Sequence, residues 1–541
     1  MQADKYTPTI GEPPPTPPEP RPKKRRWLSI FLSLVAALVA ALVSVVCMLL
    51  LRLIAGIPTP VELFGDFVLK RLPVNTFVNM LSMFQPNPKT APLGLTMLAM
   101  VGLGVILGPF YALIVQVSVP ARGLRPGRRE WGTMLLLGLG MATVGIVLFW
   151  AEIRQNFLGL PITWAVLTSA LGLVLDFIVY ALVLGWCYRA LLPKQAVETG
   201  QVVVPGRRAL FARAGVAVLG VGAAGGTLGL VRDYLGHYAS YDGLEVQAHG
   251  GYTAPITPIN EHYVVTENPI DPTASLDVWR LELTGLINSP GTYTYEEFTR
   301  LPSISRAVTL ECIANGVGGH LISTAIWQGV TFRSLLEKHG GAQSNAKYVV
   351  FYSVDGYTVS QPLEEVLAVD ALLAFRMNGE QLPTRHGYPL RALLPSHYGE
   401  ENPKWLTRIE LSEEFVGGLY SDQGWSNGQL HTTSRIDWPF GTMPLTSTIG
   451  IKGIAFAGGR GIEKVEVSTD SGVTWADAQL TPPLSQDAWV FWTYQWHPTA
   501  RGVYTMVVRA TDGTGQVQTS QRQSTVPNGA TGYHMLSVTL V

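Results

Sequence analysis

The run Thr309-Leu310-Glu311-Cys312-Ile313-Ala314-Asn315-Gly316-Val317-Gly318-Gly319 is the stretch from which the rest of the chain can be understood. Cys312 is the only cysteine beyond residue 187, so the C-terminal part cannot close a disulfide within itself. A thiol so isolated is either a small buried hydrophobe or a reactive group. What surrounds it chooses between the two. Trp327-Gln328-Gly329-Val330 and a helix-like segment at 332–337 follow the glycines.

The chain has 541 residues, more than one domain holds. Its formal charge is zero and 14% of its residues are charged, which excludes nucleic acid as an expected partner. Residues 27–231 are apolar and poor in acids, whereas 232–541 have the composition of an ordinary soluble protein. The first residues, through Gly11-Glu12-Pro13-Pro14-Pro15-Thr16-Pro17-Pro18 and on to a basic run ending at Arg26, are expected to be a disordered tail (1–26).

Five apolar runs, at about 27–54, 91–117, 131–150, 164–188 and 209–231, are long enough to cross a bilayer. Basic clusters lie before the first run (Arg21, Lys23, Lys24, Arg25, Arg26), between the second and third (Arg122, Arg125, Arg128, Arg129) and before the fifth (Arg189, Lys194, Arg207, Arg208, Arg213). With five spans these fall on one side, which the positive-inside rule makes cytoplasmic. The expected topology is multi-pass in the plasma membrane, with the N-terminus cytoplasmic and everything after residue 231 outside. Gly206-Arg207-Arg208-Ala209-Leu210-Phe211 before a mild apolar run is similar to a twin-arginine export signal, and equally to a plain basic flank. Asp176, in the middle of the fourth run, is a functional candidate by its depth, with an interhelical hydrogen bond to Ser or Thr as the simpler reading. All ten histidines lie at or after His237, so no haem held by paired histidines is expected in the membrane part.

A strand is expected at 279–285, another at 347–352, a helix at 362–367 and a strand at 371–377 closed by an Asn378-Gly379 turn. A second dense motif follows: Arg385-His386-Gly387-Tyr388-Pro389-Leu390-Arg391, running on to Asn402-Pro403-Lys404-Trp405. Guanidinium, ammonium and further donors converging in this way suit a terminal phosphate. From about 444 onward, short alternating strands such as 462–468, with turns at Asp470-Ser471-Gly472 and Asp512-Gly513, predict an immunoglobulin-like sandwich.

The cysteine block and the Arg-His-Gly to Lys-Trp block together resemble the sulfite oxidase family of molybdopterin enzymes, over about 252–541. The resemblance implies an α+β sulfite-oxidase-like molybdopterin domain (232–440) and a C-terminal all-β immunoglobulin-like dimerisation-type domain (441–541). An α-helical membrane domain of about five spans (27–231) would precede both. It implies a molybdenum-molybdopterin cofactor with one pterin, the metal ligated by Cys312. Asn260, Tyr263, Ser353, His386, Arg391, Asn402 and Lys404 would hold the pterin, and Tyr357 would face the metal's oxo group in catalysis.

The family's pattern also breaks. Where the resemblance implies arginines for an oxyanion, this chain has Ile313-Ala314-Asn315-Gly316-Val317 and Val264-Val265-Thr266-Glu267. Two missing charged hydrogen bonds, at about 1.5–3 kcal/mol each, should weaken sulfite binding by several kcal/mol. The expected function is two-electron oxygen-atom transfer on a small or protein-bound sulfur substrate outside the cytoplasm. An S-oxide or N-oxide reductase of the periplasmic methionine-sulfoxide reductase type and a non-catalytic cofactor-binding sensor or scaffold are the alternatives. A transporter finds no internal repeat to support it. Expected partners are the substrate, an unidentified electron carrier, the lipid bilayer and a second copy bound through the C-terminal domain.

Overall fold

The computed structural model describes residues 23–72, 76, 90–117, 121, 123–193, 207–236, 253–266 and 271–541. Most of the expected disordered tail, together with Arg122 and Lys194 of the basic clusters, lies outside the described residues. Among the described residues, six helices make up the first part: α1 (Lys23–Ala55), α2 (Pro60–Leu69), α3 (Thr90–Val115), α4 (Arg128–Leu148), α5 (Ile162–Leu191) and α6 (Arg207–Gly236). All but α2 are long and apolar enough to cross a membrane, and they take up the five runs expected from the sequence.

Helix α1 is central, packed on α3, α5 and α6. Its small residues Ala36, Ala37, Ala40 and Ala41 are buried, and a side chain on Gly108 of α3 would come within 2.4 Å of the Ser33 carbonyl. Close approach of backbones through small residues is how helices associate where no water drives them together. Asp176 of α5 accepts hydrogen bonds from Ser44 Oγ at 3.0 and 3.1 Å, the interhelical bond of the simpler reading. Helix α2 was not expected. Thr59-Pro60-Val61-Glu62 announces it, because Thr59 and Glu62 form a reciprocal capping box and Pro60 pre-sets the first turn.

Two sheets form the central domain. One runs Gly291–Tyr293, Leu281–Gly285, Leu406–Ser412, Tyr348–Ser353, Thr358–Pro362 in spatial order, with only the 281–285/406–412 pair parallel. The other places Ile304–Glu311, Ile322–Thr331, Leu372–Met377 and Glu380–Gln381 side by side, all antiparallel, with Arg391–Leu393 also on 372–377. Asn378 (φ 51°) and Gly379 (φ 81°) make the tight turn their sequence predicts. The core between the sheets holds Trp279, Phe298, Phe332, Phe351, Phe375 and Trp405.

The C-terminal domain is a sandwich of a four-stranded and a five-stranded sheet. Ile451, Val465, Trp492, Met506 and Val538 lie in its core. It begins earlier than the expected residue 441: the strand Thr433–Trp438 pairs with Ile449–Phe456 inside the sandwich. The shift has a plain cause. Residues 433–438 precede the alternating strands that mark the sandwich, and their pairing with 449–456, not their local pattern, assigns them to it.

Asp66 of α2 accepts a hydrogen bond from Gln155 in the α4–α5 connection. Burial pushes its carboxyl up to about 7, helped by the nearby Glu62 and Asp355 and opposed by Gln155 and Lys70. The folded chain thus keeps a proton that the unfolded chain releases near pH 4, so folding stability falls as pH climbs from about 4 through 7. Asp66→Asn is expected to flatten that slope and to raise stability at pH 8 by roughly 1–2 kcal/mol after allowance for solvent screening. Thermal melts of the detergent-purified variant and parent between pH 5 and 8 check this.

Candidate active site

Cys312 is the first residue past the strand Ile304–Glu311, in the loop that returns to Ile322–Thr331. Its N–H donates to Leu321 O (2.9 Å) and its carbonyl accepts from Asn315 N–H (2.8 Å). Asn315 ties the loop shut, accepting from Leu321 N–H (2.9 Å) and donating to Glu311 Oε1 (2.8 Å). The glycines earn their place at Gly318, where φ is +79° and a Cβ would lie 2.3 Å from the His534 ring. Arg435 Nη1 donates to Gly319 O (2.6 Å). Two side chains of the C-terminal sandwich therefore brace the cysteine loop.

Tyr263 and Gly399 close over the thiol. A Cβ on Gly399 would stand 2.6 Å from the Tyr263 hydroxyl and 3.7 Å from Cys312 Cα. Burial, reinforced by Glu400, pushes the Cys312 thiol far above its ordinary range. A bound cation is what would turn such a thiol into a thiolate. Two carboxylates, Glu311 and Glu400, lie in the same neighbourhood, and Glu401 follows Glu400 in the chain. Burial raises Glu311 and Glu401 to about 7, and holds Glu400 well above the usual range with Glu401 beside it. Tyr357 donates its O–H to the Glu400 carbonyl at 2.7 Å and packs edge-on against Tyr420.

The Arg-His-Gly block converges on Gly387, whose φ of +113° no side chain tolerates well; a Cβ there would meet those of Arg391 and Lys404 at 3.0 Å. Arg391 is buried, donates Nη1 to His386 O (3.0 Å) and Nη2 to Asn402 O (3.1 Å), and burial lowers its pKa to about 10. His386 Nε2 lies 3.2 Å from Ile259 O, and Lys404 Nζ donates to Arg385 O at 3.1 Å. Asn402 commits its amide to the loop, accepting from Leu394 N–H (2.7 Å) and donating to Tyr398 O (2.8 Å). Ser353 ends a strand with its hydroxyl buried. Asn260, also expected to hold a pterin, is exposed in the turn that leads to Tyr263.

Residues 267–420 match the oxidoreductase molybdopterin binding domain, and 438–538 the Mo-co oxidoreductase dimerisation domain. The sulfite oxidase of Arabidopsis thaliana is 28% identical over 330 residues, 50% of this chain and 84% of that protein. An NADH nitrate reductase of Lotus japonicus is 28% identical over 311 residues, 46% of this chain but 34% of that enzyme's length. The C-terminal part is an oxidoreductase of the sulfite oxidase family. Among solved structures, the sulfane dehydrogenase SoxCD from Paracoccus pantotrophus aligns with a TM-score of 0.47 and 24% identity, covering 53% of this chain and 82% of that one.

A molybdopterin fits what this sulfite-oxidase-family domain presents. His262 Nε2, Ser353 Oγ, Arg391 Nε and Glu311 Oε2 are buried without a hydrogen-bond partner among the described residues. Such orphans call for a ligand or water. They are the donors and acceptors that a polar, phosphate-bearing cofactor needs, set around a buried thiol. Sequence reasoning missed His262, which stacks on Tyr263 (5.6 Å) and meets Trp327 and His386 edge-on (5.7 and 5.2 Å). Burial takes its pKa down to about 3, so it is a neutral imidazole. It lies between two residues singled out from the sequence, in Asn260-Glu261-His262-Tyr263, and a histidine there was the available signal. The carboxylates Glu400 and Glu401 were missed as well.

Proposed function

We propose that this chain is a membrane-held molybdenum-cofactor oxidoreductase whose site faces away from the cytoplasm and exchanges an oxygen atom with a small sulfur or nitrogen centre. The observation that carries the reading is the buried Cys312 thiol set among orphaned polar atoms, beside the Arg391 block, in a sulfite-oxidase-family fold. Cys312 would ligate the metal, and His386, Arg391, Lys404 and Ser353 would hold the pterin's polar end, with His262 and Tyr263 against its rings. Bound there, the cofactor supplies two-electron oxygen-atom exchange. The chain's own residues place and protonate. Tyr357 directs its phenolic O–H at the Glu400 carbonyl, and burial disfavours the charge of Glu400 and raises Glu401 to about 7, so both can carry a proton where an ordinary carboxyl has lost it.

The five candidate spans and the basic clusters on alternate connections support a five-span anchor with the cofactor domain outside. The C-terminal match supports a homodimer. Direction of reaction is favoured by the acids. A pocket with Glu311 and Glu400 by the thiol, their charge disfavoured by burial, and no arginine in 313–317 gives an oxyanion no counter-charge and can offer O–H donors to a neutral S-oxide or N-oxide. With molybdenum-loaded protein and a dye as electron donor or acceptor, neutral S- and N-oxides are expected to turn over at least tenfold faster than sulfite is oxidised. Sulfite turnover exceeding that of the oxides would overturn this reading.

A further inference from the structure

The connection between α4 and α5 does not merely link helices; it enters the oxidoreductase domain. Phe157 is buried in that domain's core cluster together with Trp279, and its N–H donates to Gly56 O at the end of α1 (3.1 Å). The Arg52 guanidinium of α1 lies 3.3 Å over its ring, while Arg52 Nε donates to Glu62 of α2 at 3.0 Å. Leu158 O accepts from Ser275 N–H (2.8 Å), and a Cβ on Gly159 (φ +87°) would press to 2.9 Å on Trp279. On the other side the loop is fixed to the helices: Asn156 Nδ2 donates to Thr168 Oγ1 (3.2 Å), and Ser169 Oγ donates to Gln155 O (3.0 Å).

The far contact of this loop is the turn that carries Tyr357. Asn156 N–H donates to Val354 O at 2.9 Å. Gly356 has φ +81°, and a Cβ there would lie 2.9 Å from Gln155 Cγ. Within the turn Ser353 N–H bonds Tyr357 O (2.9 Å), Gly356 N–H bonds Ser353 O (3.0 Å) and Tyr357 N–H bonds Asp355 Oδ1 (3.1 Å). Ser353 and Tyr357 are thus the two ends of one short turn, clamped from outside by residues 155 and 156. The turn is held from inside by Val354 in the domain core and by its N–H to Trp405 O (2.8 Å), and from outside by residues 155 and 156, so its shape depends on both.

We propose that the α4–α5 connection is a positioning element of the active site: residues 155–157 hold the Val354–Tyr357 turn, so the helical part shapes the site as well as tethering it. The docking stands on these contacts alone; its effect on turnover rests on the role given to Tyr357 under Proposed function.

Amide exchange of the 353–358 peptide in the full detergent-solubilised chain tests it. Phe157→Ala and Asn156→Gly are each expected to speed exchange there about tenfold, with Phe157→Leu restoring most of the protection and peptides of the C-terminal sandwich unchanged. Asn156→Gly removes the buried side-chain bonds to Ala55 O, Thr168 Oγ1 and Leu158 N–H that hold the loop in place while leaving the backbone N–H able to reach Val354 O, and it deletes no core aromatic ring, so it serves where Phe157→Ala fails to fold. Unchanged exchange at 353–358 in the folded variants would overturn the proposal. In a second arm, a protease site is inserted between residues 240 and 250 and cut in the folded protein. The two pieces are expected to elute together, and their separation would equally overturn it. Neither arm needs substrate or cofactor turnover, so a failed activity screen leaves this result standing. With a turned-over substrate in hand, Phe157→Ala should lower kcat with KM little changed and Phe157→Leu should recover it, a split that loss of folded protein alone would not produce.

Discussion

Cys312→Ser is expected to strip the protein of molybdenum and to lower turnover of any oxide substrate at least a hundredfold. The thiol is buried, its N–H and carbonyl are fixed by Leu321 and Asn315, and the loop around it is braced from the C-terminal sandwich. Serine is nearly the same size, so folding should survive; its hydroxyl is a hard, weakly acidic ligand that does not replace a soft thiolate. Groups that merely orient a metal's ligands already cost tenfold to a hundredfold when removed, so losing a ligand itself should cost at least that. Elemental analysis of folded, detergent-purified variant and parent gives the answer. Full molybdenum occupancy in the serine variant would contradict ligation by this residue.

Arg391→Met is expected to lower the melting temperature by roughly 5–10 °C and to reduce pterin content sharply. Two charge-assisted hydrogen bonds to His386 O and Asn402 O disappear, worth about 1.5–3 kcal/mol each. Relief of a buried charge, visible in the lowered Arg391 pKa, offsets part of the loss and leaves roughly 2–4 kcal/mol. Arg391→Lys should rescue little, because one ammonium cannot reach both carbonyls as a planar fork does. Calorimetry and pterin fluorescence after acid release report the two effects separately. A variant with parental stability and pterin content would show that the guanidinium supports neither loop nor cofactor.

Much of this was legible in the sequence because it was local. The apolar runs, the strand 462–468, the Asn378-Gly379 turn and the helix opening at Phe332 each carry their pattern within a few residues. Cys312, His386, Arg391 and Lys404 could be named because each sits in a dense block of unusual residues. What escaped was set by partners distant in sequence. Phe157 looks like one more apolar residue beside a membrane run, and only its contact with Trp279 places it in a different core. Glu400 and Glu401 look like solvated charges on a loop; burial gives them their meaning, Glu400 beside Glu311 and the thiol and Glu401 on Gln361.

The bracing of the cysteine loop has a consequence for the order of biosynthesis. Gly318 rests on His534 and Gly319 on Arg435, so a nascent polypeptide that has just released residue 320 from the ribosome still lacks two walls against which its cysteine loop rests. Those walls arrive more than a hundred and more than two hundred codons later. The cysteine loop therefore reaches its folded form only after translation has passed residue 534.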